Sequence, residues 1–488
     1  MKLENLLHNI SVLELKGDPE IEITSVVTNS QQVTSGSLFI ALKGSILDGH
    51  MYVGEAITKG AVAVMVERPM DLGKGCASIL VENTQTAQAI IGKNFYADPA
   101  SKLKMIGVTG TKGKTTTTFL IRSLLEEAGF KTGLIGTIYN IVNEQRLSTR
   151  NTTPASLELQ HLLAEMVKVE TEYVVMEVSS HAIAQDRIQG FSFSRGVFTN
   201  ISRDHLDFHQ TFEEYFKVKT EFFINLPPES VAIINIDDPG GRQIALACSK
   251  IISYGLSSDA QIRAEQIKST MKKTTFEVIS PWGKMSINLN LIGQFNVYNA
   301  LAAIAVGFSL GLDAETIRKG LERLPGVPGR FELISGSGEY TVVVDYAHSP
   351  DSLKNVLATA KTLAKNRVIT VFGCGRNRDR GKRSMMGRIS AELSDYTIIT
   401  NDNPRREDPE TIAAQIKAGF LVKGQSRNYE IILDREKAIN KAVSMAKEGD
   451  MVIIAGKGHE TYQDFGDHKI HFDDRQIATL AVEEKENA

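Results

Sequence analysis

Short runs of β-branched and apolar residues alternate with amphipathic stretches along almost the whole chain, and no other feature limits the fold as much. The apolar runs include KMIGVTG, EYVVMEVS, RGVFTNI, SVAIINID, YTVVVDYA, NRVITVFG, YTIITND and DMVIIAG. Stretches with helical periodicity, such as TTTTFLIRSLLEEAG and SLKNVLATAKTLAK, lie between them. A parallel strand pair needs a long crossover, usually a helix, so this alternation predicts α/β domains with mainly parallel sheets. A chain of 488 residues has room for about three such domains.

Two boundaries stand out. FYADPASKLKMIGVTG carries Asp-Pro and Ser just before a strong strand, so a new domain is expected to begin at Ser101. LERLPGVPGRFE packs two prolines and two glycines into Pro325 to Arg330, which reads as a linker. The expected domains are therefore 1–100, 101–328 and 329–488. The first contains shorter strands (SLFIAL, AVAVMVE) and reads as a smaller α/β unit.

The polar clusters GTKGKTT, SSH, SRDH, DYAHSPD, GCGRNRD, NDNPR and GKGHE each follow one of the apolar runs. Ligands of open α/β sheets bind beyond the carboxyl ends of the strands, so these clusters are candidate active-site loops. Composition narrows the class further. A formal net charge of -3, from 55 basic and 58 acidic residues, gives no basic footprint for nucleic acid. Three distant cysteines, Cys76, Cys248 and Cys374, make neither a disulfide framework nor a paired-thiol metal site. No uninterrupted apolar run reaches the ~18 residues that span a bilayer. NALAAIAVGFSLGL is too short and broken by glycine, and MKLENLLHNISVLELKGDP lacks the pattern of a secretory signal. A soluble, cytoplasmic chain without a membrane or nucleic-acid partner is expected.

The most specific local pattern is GVTGTKGKTTTT, which follows a strand and opens a helix. Small residues let backbone N–H groups approach phosphate oxygens at a helix N-terminus. Lys114 would reach the β- and γ-phosphates and the Thr115 hydroxyl a Mg²⁺ ion. The strict pattern GxxxxGK(S/T) needs Gly at position 108, where this chain has Val108, so the loop is a variant with Gly110 and Gly113 inside it. Glu177 in MEVSSH and His205 in SRDHLDFH are a candidate cation pair, or equally a hydrogen-bonded loop histidine and its neighbour. Lys219, on the amphipathic stretch FEEYFKVKTEFF, reads in isolation as a solvated side chain. Asp345 and His348, Arg378, Asn403 and Arg405, and Lys457, His459 and Glu460 gather acidic, amide and guanidinium groups suited to a zwitterionic substrate.

The motifs TGTKGKTTT, NTTP, EVSSH, SRDHLDFH, GQFNVYNALAA, GRFE, DYAHSPDSL, GCGRNRD, DNPR and GKGHE, in this order, resemble those of the Mur ligases over essentially the whole chain. Among these the pattern is most similar to the branch that adds the third residue of the peptidoglycan stem peptide. The resemblance implies a three-domain α/β architecture with a P-loop central domain and a Rossmann-like C-terminal domain. It implies ATP-dependent joining of meso-diaminopimelate to UDP-N-acetylmuramoyl-L-alanyl-D-glutamate through an acyl phosphate, by a monomer using Mg²⁺.

The resemblance also assigns residues. Ser30, Asn151, Thr152, Thr153, Ser179, Gln185 and Arg187 would hold the UDP-linked substrate. Gly110, Thr111, Lys112, Gly113, Lys114, Thr115, Thr116, Asn296, Asn299, Arg330, Asp345 and His348 would serve ATP. Thr115, Glu177 and His205 would serve Mg²⁺, and Lys219 would be carbamylated by CO₂. Arg378, Asp402, Asn403, Arg405, Gly456 and Glu460 would bind the amino acid, with DNPR the version associated with diaminopimelate. Lys114, Lys219, His205 and Glu177 would be the catalytic group. The family's Asp-Ser-Arg is Asn29-Ser30-Gln31 here, and its Gly-Asp before Arg378 is Arg376-Asn377.

Two other readings remain open from sequence. One is a paralogous or folylpolyglutamate-type ligase with a different carrier or amino acid, against which the N-terminal domain speaks. The other is a nucleotide-binding protein with a dead ligase fold, against which Lys114, Thr115, Glu177, His205 and Lys219 speak.

Overall fold

The computed structural model describes residues 1–44, 47–73, 75–334, 339–375, 380–421 and 428–487. The chain forms two compact units, Met1–Thr109 with Phe130–Gly196 and Glu221–Ser230, and Gly110–Gly129 with Val197–Thr220 and Val231–Ala488.

The first unit opens with a five-stranded sheet in the order Val12–Lys16, Ala77–Val81, Ala61–Val66, Ser37–Ile40, Ser25–Val27. Only the first pair is antiparallel. Its central strands are apolar at consecutive positions because both faces are covered. Leu38, Ile40 and Met65 pack on one side with Leu3, Leu6 and Ile91, while Phe39, Val64 and Val66 pack on the other with Val53 and Ala56. The same unit carries the strands Lys104–Thr109, Tyr173–Glu177 and Thr132–Ile135, paired in parallel in that order. Asn140–Val142 and Gln145–Leu147 extend them as an antiparallel edge.

In the second unit Val231–Asn235, Ile251–Gly255 and Ile262–Ser269 run parallel. Thr274–Ser280 and Gly283–Leu289 then return as an antiparallel meander, an addition to the mainly parallel sheets expected from sequence. The helix Gln294–Ser309 is buried along most of its length and packs on Lys114–Glu127, which explains its nearly unbroken apolar sequence. No helix among the described residues is long and apolar enough to cross a membrane.

The rest of this unit is a six-stranded sheet in the order Glu332–Ile334, Thr341–Asp345, Met451–Ala455, Val368–Phe372, Tyr396–Ile399, Tyr429–Ile431. All neighbours after the first pair are parallel. Helices Pro350–Leu363, Gly381–Leu393 and Pro409–Lys417 cover one face through Leu353, Leu357, Met386 and Ile412. Arg435–Met445 and Asp474–Glu486 cover the other through Ala438, Ile439, Val443, Ala478 and Val482. This is the Rossmann-like arrangement expected.

A buried ion pair fixes the carboxyl ends of two of these strands. The Arg435 guanidinium donates to both Asp474 carboxylate oxygens at 2.7 Å, and both side chains are fully buried. Its remaining donors reach the carbonyls of Asn401 and Ala455 at 3.0 Å. These carbonyls immediately precede Asp402 and Gly456. Removing one partner of such a pair strands the other charge in the interior. Arg435→Met is therefore expected to cost about 3–5 kcal/mol, seen as a lowered urea unfolding midpoint by circular dichroism. Arg435→Met with Asp474→Leu should recover most of that loss. A single variant as stable as the parent would refute this account.

Candidate active site

The phosphate loop leaves the strand Lys104–Thr109 and enters the helix Lys114–Glu127. Gly110 and Gly113 have φ of +143° and +87°. The fold packs against both: a Cβ on Gly110 would lie 1.9 Å from Thr199 Oγ1, and one on Gly113 2.4 Å from Asn299 Oδ1. Glycine is thus required both by conformation and by space. Thr199 and Asn200 cradle the loop. Asn200 accepts from Thr111 N at 2.8 Å through its carbonyl and from Lys112 N at 2.9 Å through Oδ1. The Thr199 hydroxyl and Asn200 amide donate to the Lys112 carbonyl at 2.6 and 3.0 Å. Sequence reasoning missed this pair, which sits at the end of the apolar run RGVFTNI. Of the residues expected to serve ATP, Asn299 faces Thr117 at 3.3 Å and is tied to Asn296 at 3.0 Å.

Cations converge on the loop. Lys114 Nζ donates to the carbonyls of Gly110 and Thr111 at 2.9 and 3.0 Å. Lys219 Nζ donates to the same Gly110 carbonyl at 2.9 Å and lies 5.0 Å from the Tyr215 ring centre. Lys219 is 1% exposed, so the solvated side chain expected of the isolated residue is corrected: its helix turns this position inward. Burial first, then the charges of Lys114 and Lys112, push its pKa well below that of an ordinary lysine. Lys112 pairs with Asp204 at 2.9 Å. Burial opposes the Asp204 carboxylate, but Lys112, His205 and His348 outweigh it and hold its pKa low.

Arg330 Nη2 donates to the Thr115 hydroxyl at 3.1 Å, and its guanidinium covers the Tyr346 ring at 4.6 Å. Its buried Nε has no hydrogen-bond partner among the described residues. Asp345 accepts from Phe331 N at 2.7 Å, and burial raises its pKa to about 6 against the opposing charge of Arg330. His348 meets the same Tyr346 ring edge-on, with ring centres 4.6 Å apart. A cavity of about 90 Å³ opens where Asp204 and His205 face Ser349 and Lys382.

In the first unit, most residues expected to hold the UDP-linked substrate come together. The Thr153 hydroxyl donates to the Glu177 carbonyl at 2.8 Å and accepts from Ser179 N at 3.0 Å. Arg187 reaches the Thr153 carbonyl at 2.7 Å and Gln185 Oε1 at 2.6 Å. The Thr137 hydroxyl bridges Thr152 and Glu177 at 3.0 and 2.9 Å, and Thr137 N holds the second Glu177 oxygen at 2.8 Å. Asn151 lies on the exposed loop just before this group, its carbonyl accepting from Thr149 at 2.7 Å. Ser30 belongs to the N-terminal sheet region, donating to Glu55 at 3.0 Å. Among the described residues no three His, Cys, Asp or Glu side chains converge as a metal cage. The Thr115 hydroxyl at the start of the loop helix is a hard oxygen donor of the kind Mg²⁺ takes beside waters and substrate phosphates.

The loops expected to bind the amino acid are knitted together by charge. Lys457, fully buried, donates to Glu460 at 2.9 Å and Asn403 at 3.2 Å. Asn403 Nδ2 donates to Glu460 at 2.9 Å. Gly456 has φ +119°, and a Cβ there would lie 2.6 Å from Asp402 Oδ2. Arg405 Nε donates to Asp464 at 3.2 Å. Arg378 lies outside the described residues. Sequence reasoning missed Arg383, which is 1% exposed on the helix Gly381–Leu393 and donates to both Glu407 oxygens at 2.7 and 2.9 Å and to Gln415 at 2.8 Å. It also missed Arg435. The available hint was a basic residue in the first turn of a helix, where the dipole disfavours it unless a carboxylate compensates.

The fold and the loop define an α/β protein built to hold nucleotide phosphates. Family models for the Mur ligase family catalytic domain, the Mur ligase middle domain and the Mur ligase glutamate ligase domain match residues 22–110, 108–307 and 329–458. The chain is 43% identical over 489 residues to the UDP-N-acetylmuramoyl-L-alanyl-D-glutamate–2,6-diaminopimelate ligase of Alkaliphilus metalliredigens, covering 99% of this chain and 98% of that one. It is 42% identical over 487 residues to ligase 1 of the same name from Clostridium acetobutylicum, covering 99% and 100%. A solved structure of a ligase of that name aligns over 100% of both chains at 31% identity with a TM-score of 0.69. MurF from Acinetobacter baumannii shares the fold at 22% identity, covering 99% of this chain and 98% of that one with a TM-score of 0.71. The chain belongs to the Mur ligase family, and it is an ATP-dependent, ADP-forming ligase.

Because the space beside Gly110 is taken by Thr199, Gly110→Ala is expected to force the loop outward. ATP affinity should fall at least about tenfold with the fold intact, since one lost charged hydrogen bond alone is worth about 1.5–3 kcal/mol. Equilibrium binding of a non-hydrolysable ATP analogue reads this, and unchanged affinity would contradict the packing argument.

Proposed function

We propose that the protein is a cytoplasmic, monomeric ligase that adds meso-diaminopimelate to UDP-N-acetylmuramoyl-L-alanyl-D-glutamate, a step of peptidoglycan precursor synthesis. The domains 1–100, 101–328 and 329–488 hold the uridine substrate, ATP and the amino acid in turn. The observation that carries this reading is the pair of lysines, Lys114 and Lys219, on the Gly110 carbonyl of a phosphate loop.

The D-glutamyl carboxylate attacks the γ-phosphate of ATP, forming an acyl phosphate and ADP. Lys114 then leaves the loop carbonyls and follows the charge that spreads over the transferring phosphoryl group. Thr115, Glu177 and His205 would hold Mg²⁺, which would supply further neutralisation of phosphate charge. The amine of diaminopimelate, oriented by Asn403, Arg405 and Glu460, attacks the acyl carbon; the tetrahedral intermediate collapses and expels phosphate. Arg330, Asp345 and His348 position the nucleotide. Ser30, Thr152, Thr153, Ser179, Gln185 and Arg187 hold the carrier.

Lys219 acts as a carbamate. CO₂ adds only to a neutral amine, with loss of one proton, and the depressed pKa of Lys219 favours that form at neutral pH. The adduct replaces a buried cation with an anion that faces the positive loop.

Two measurements test the site. Lys114→Ala should lower kcat by at least about a hundredfold while circular dichroism stays unchanged; near-normal turnover would remove Lys114 from the ATP site. Lys219→Ala should be nearly inactive and partly restored by short carboxylic acids, and full activity without them would refute the carbamate. Product mass from a panel of amino acids, each supplied with ATP and the UDP-dipeptide, tests the substrate; preference for L-lysine would overturn it.

A further inference from the structure

A two-stranded hairpin, Tyr462–Asp464 with Lys469–His471, lies against the Asp402–Arg405 loop. Four hydrogen bonds join them. Gln463 Nε2 donates to the Asp402 carbonyl at 3.0 Å, and Asp464 N to Asn403 Oδ1 at 3.0 Å. Arg405 N donates to the Asp464 carbonyl at 2.9 Å, and Arg405 Nε to the Asp464 carboxylate at 3.2 Å. Asp464 is itself fixed, since its other oxygen accepts from Gly466 N at 2.9 Å. Gly466 must be glycine: its φ is +93°, and a Cβ would lie 2.7 Å from Arg406 Cγ and 3.0 Å from the Arg405 carbonyl carbon.

Arg405 needs this support. Its φ of +52° is in the left-handed region that non-glycine residues rarely adopt, so its backbone persists only where neighbours hold it. A guanidinium presents two bidentate edges. Asp464 takes Nε, which leaves the Nη1/Nη2 edge as a pair of parallel donors for a carboxylate.

We propose that Asp464 is a positioning residue that fixes the Arg405 guanidinium so that its Nη edge receives the distal carboxylate of the amino-acid substrate. This makes the hairpin a determinant of specificity for a dicarboxylic amino acid. The proposal rests on Arg405 as the ligand of that carboxylate, and the experiment separates the two.

Steady-state kinetics are run on Arg405→Ala, Asp464→Asn, Asp464→Glu and the double variant Arg405→Ala/Asp464→Asn, with each substrate varied. Arg405→Ala should raise KM for diaminopimelate about ten- to a hundredfold. Asp464→Asn should raise it about tenfold, the lower end of what one hydrogen bond to a charged group is worth. Its KM for ATP and for the UDP-dipeptide should stay unchanged, and Asp464→Glu should restore part of the loss. The double variant should bind diaminopimelate no worse than Arg405→Ala alone, as expected of residues acting as one unit. A normal KM in Arg405→Ala would remove the reading of Arg405 and the proposal with it. An impaired Arg405→Ala beside a normal Asp464→Asn would overturn the positioning role alone. Additive effects, or a lowered melting temperature with all three KM values raised, would make Asp464 an independent or merely structural residue and also overturn it.

Discussion

The Gly110 carbonyl accepts hydrogen bonds from the Nζ atoms of two lysines, one of them fully enclosed. Much of the phosphate loop's local structure follows from that arrangement. A positive charge on Lys219 is repelled by that of Lys114, because both donate at 2.9 Å to one oxygen and Lys219 is cut off from water. The carbonyl dipole and the Asp204 carboxylate, already paired with Lys112, offset only part of the repulsion. The arrangement therefore has a strong preference for added negative charge. Phosphate oxygens meet that preference directly, and so does a carbamate on Lys219. Thr199 and Asn200 fix the loop backbone that holds the carbonyl, so the backbone donors are set in advance.

The loops expected to bind the amino acid are organised by buried ion pairs. Arg435 and Asp474 clamp the carbonyls just before Asp402 and Gly456. Arg383 and Glu407 tie the helix after the GCGRNRD segment to the residues just beyond Arg405. Replacing such pairs by apolar residues is often neutral or stabilising, so burial energy alone does not account for them. What they supply is direction. A guanidinium with a carboxylate on one edge and backbone carbonyls on the other sets two loops at once, which an apolar contact cannot do.

The strands and their polar ends were legible because period and burial agree. A parallel strand covered on both faces reads as an unbroken apolar run, as in YTVVVD and DMVIIA. The meander from Ile262 to Leu289 was not legible. Its strands carry Arg, Glu, Lys and Thr on a half-exposed face, and such alternation is weak against the background of a polar loop. Lys219 was misjudged in isolation for the opposite reason. Its helix looks amphipathic, but a lysine among Phe, Tyr and Glu gives no sign of which face turns inward. Arg435 and Asp474 are 39 residues apart, and each sits in a charged stretch that resembles solvent-facing helix. Pairing over such distances is a property of topology, which local pattern does not encode. The loops expected to bind the amino acid were proposed from their motif residues, while Asp464, which holds one of them, lies outside any motif.

Asp345 shows how far the site departs from what stability alone would select. Burial raises its pKa from 3.8 to about 6. A raised carboxyl favours the protonated form, so its contribution to folding is fullest below pH 3.8 and is lost as pH rises through about 6. The shift corresponds to about 3 kcal/mol against the folded state at neutral pH. The fold accepts that loss at the carboxyl end of a central strand, where Asp345 also fixes Phe331 N beside Arg330. An asparagine would accept the same backbone hydrogen bond without a buried charge. The carboxylate is explained only by what its charge does to its neighbours. It balances Arg330, whose guanidinium lies over Tyr346 and reaches Thr115 at the start of the loop helix. An arginine in that position with no carboxylate behind it would add a further uncompensated cation to a site already crowded with them. Asp345 thus trades folding stability for a partial offset of the cationic charge that Arg330 and Lys112 bring to the loop.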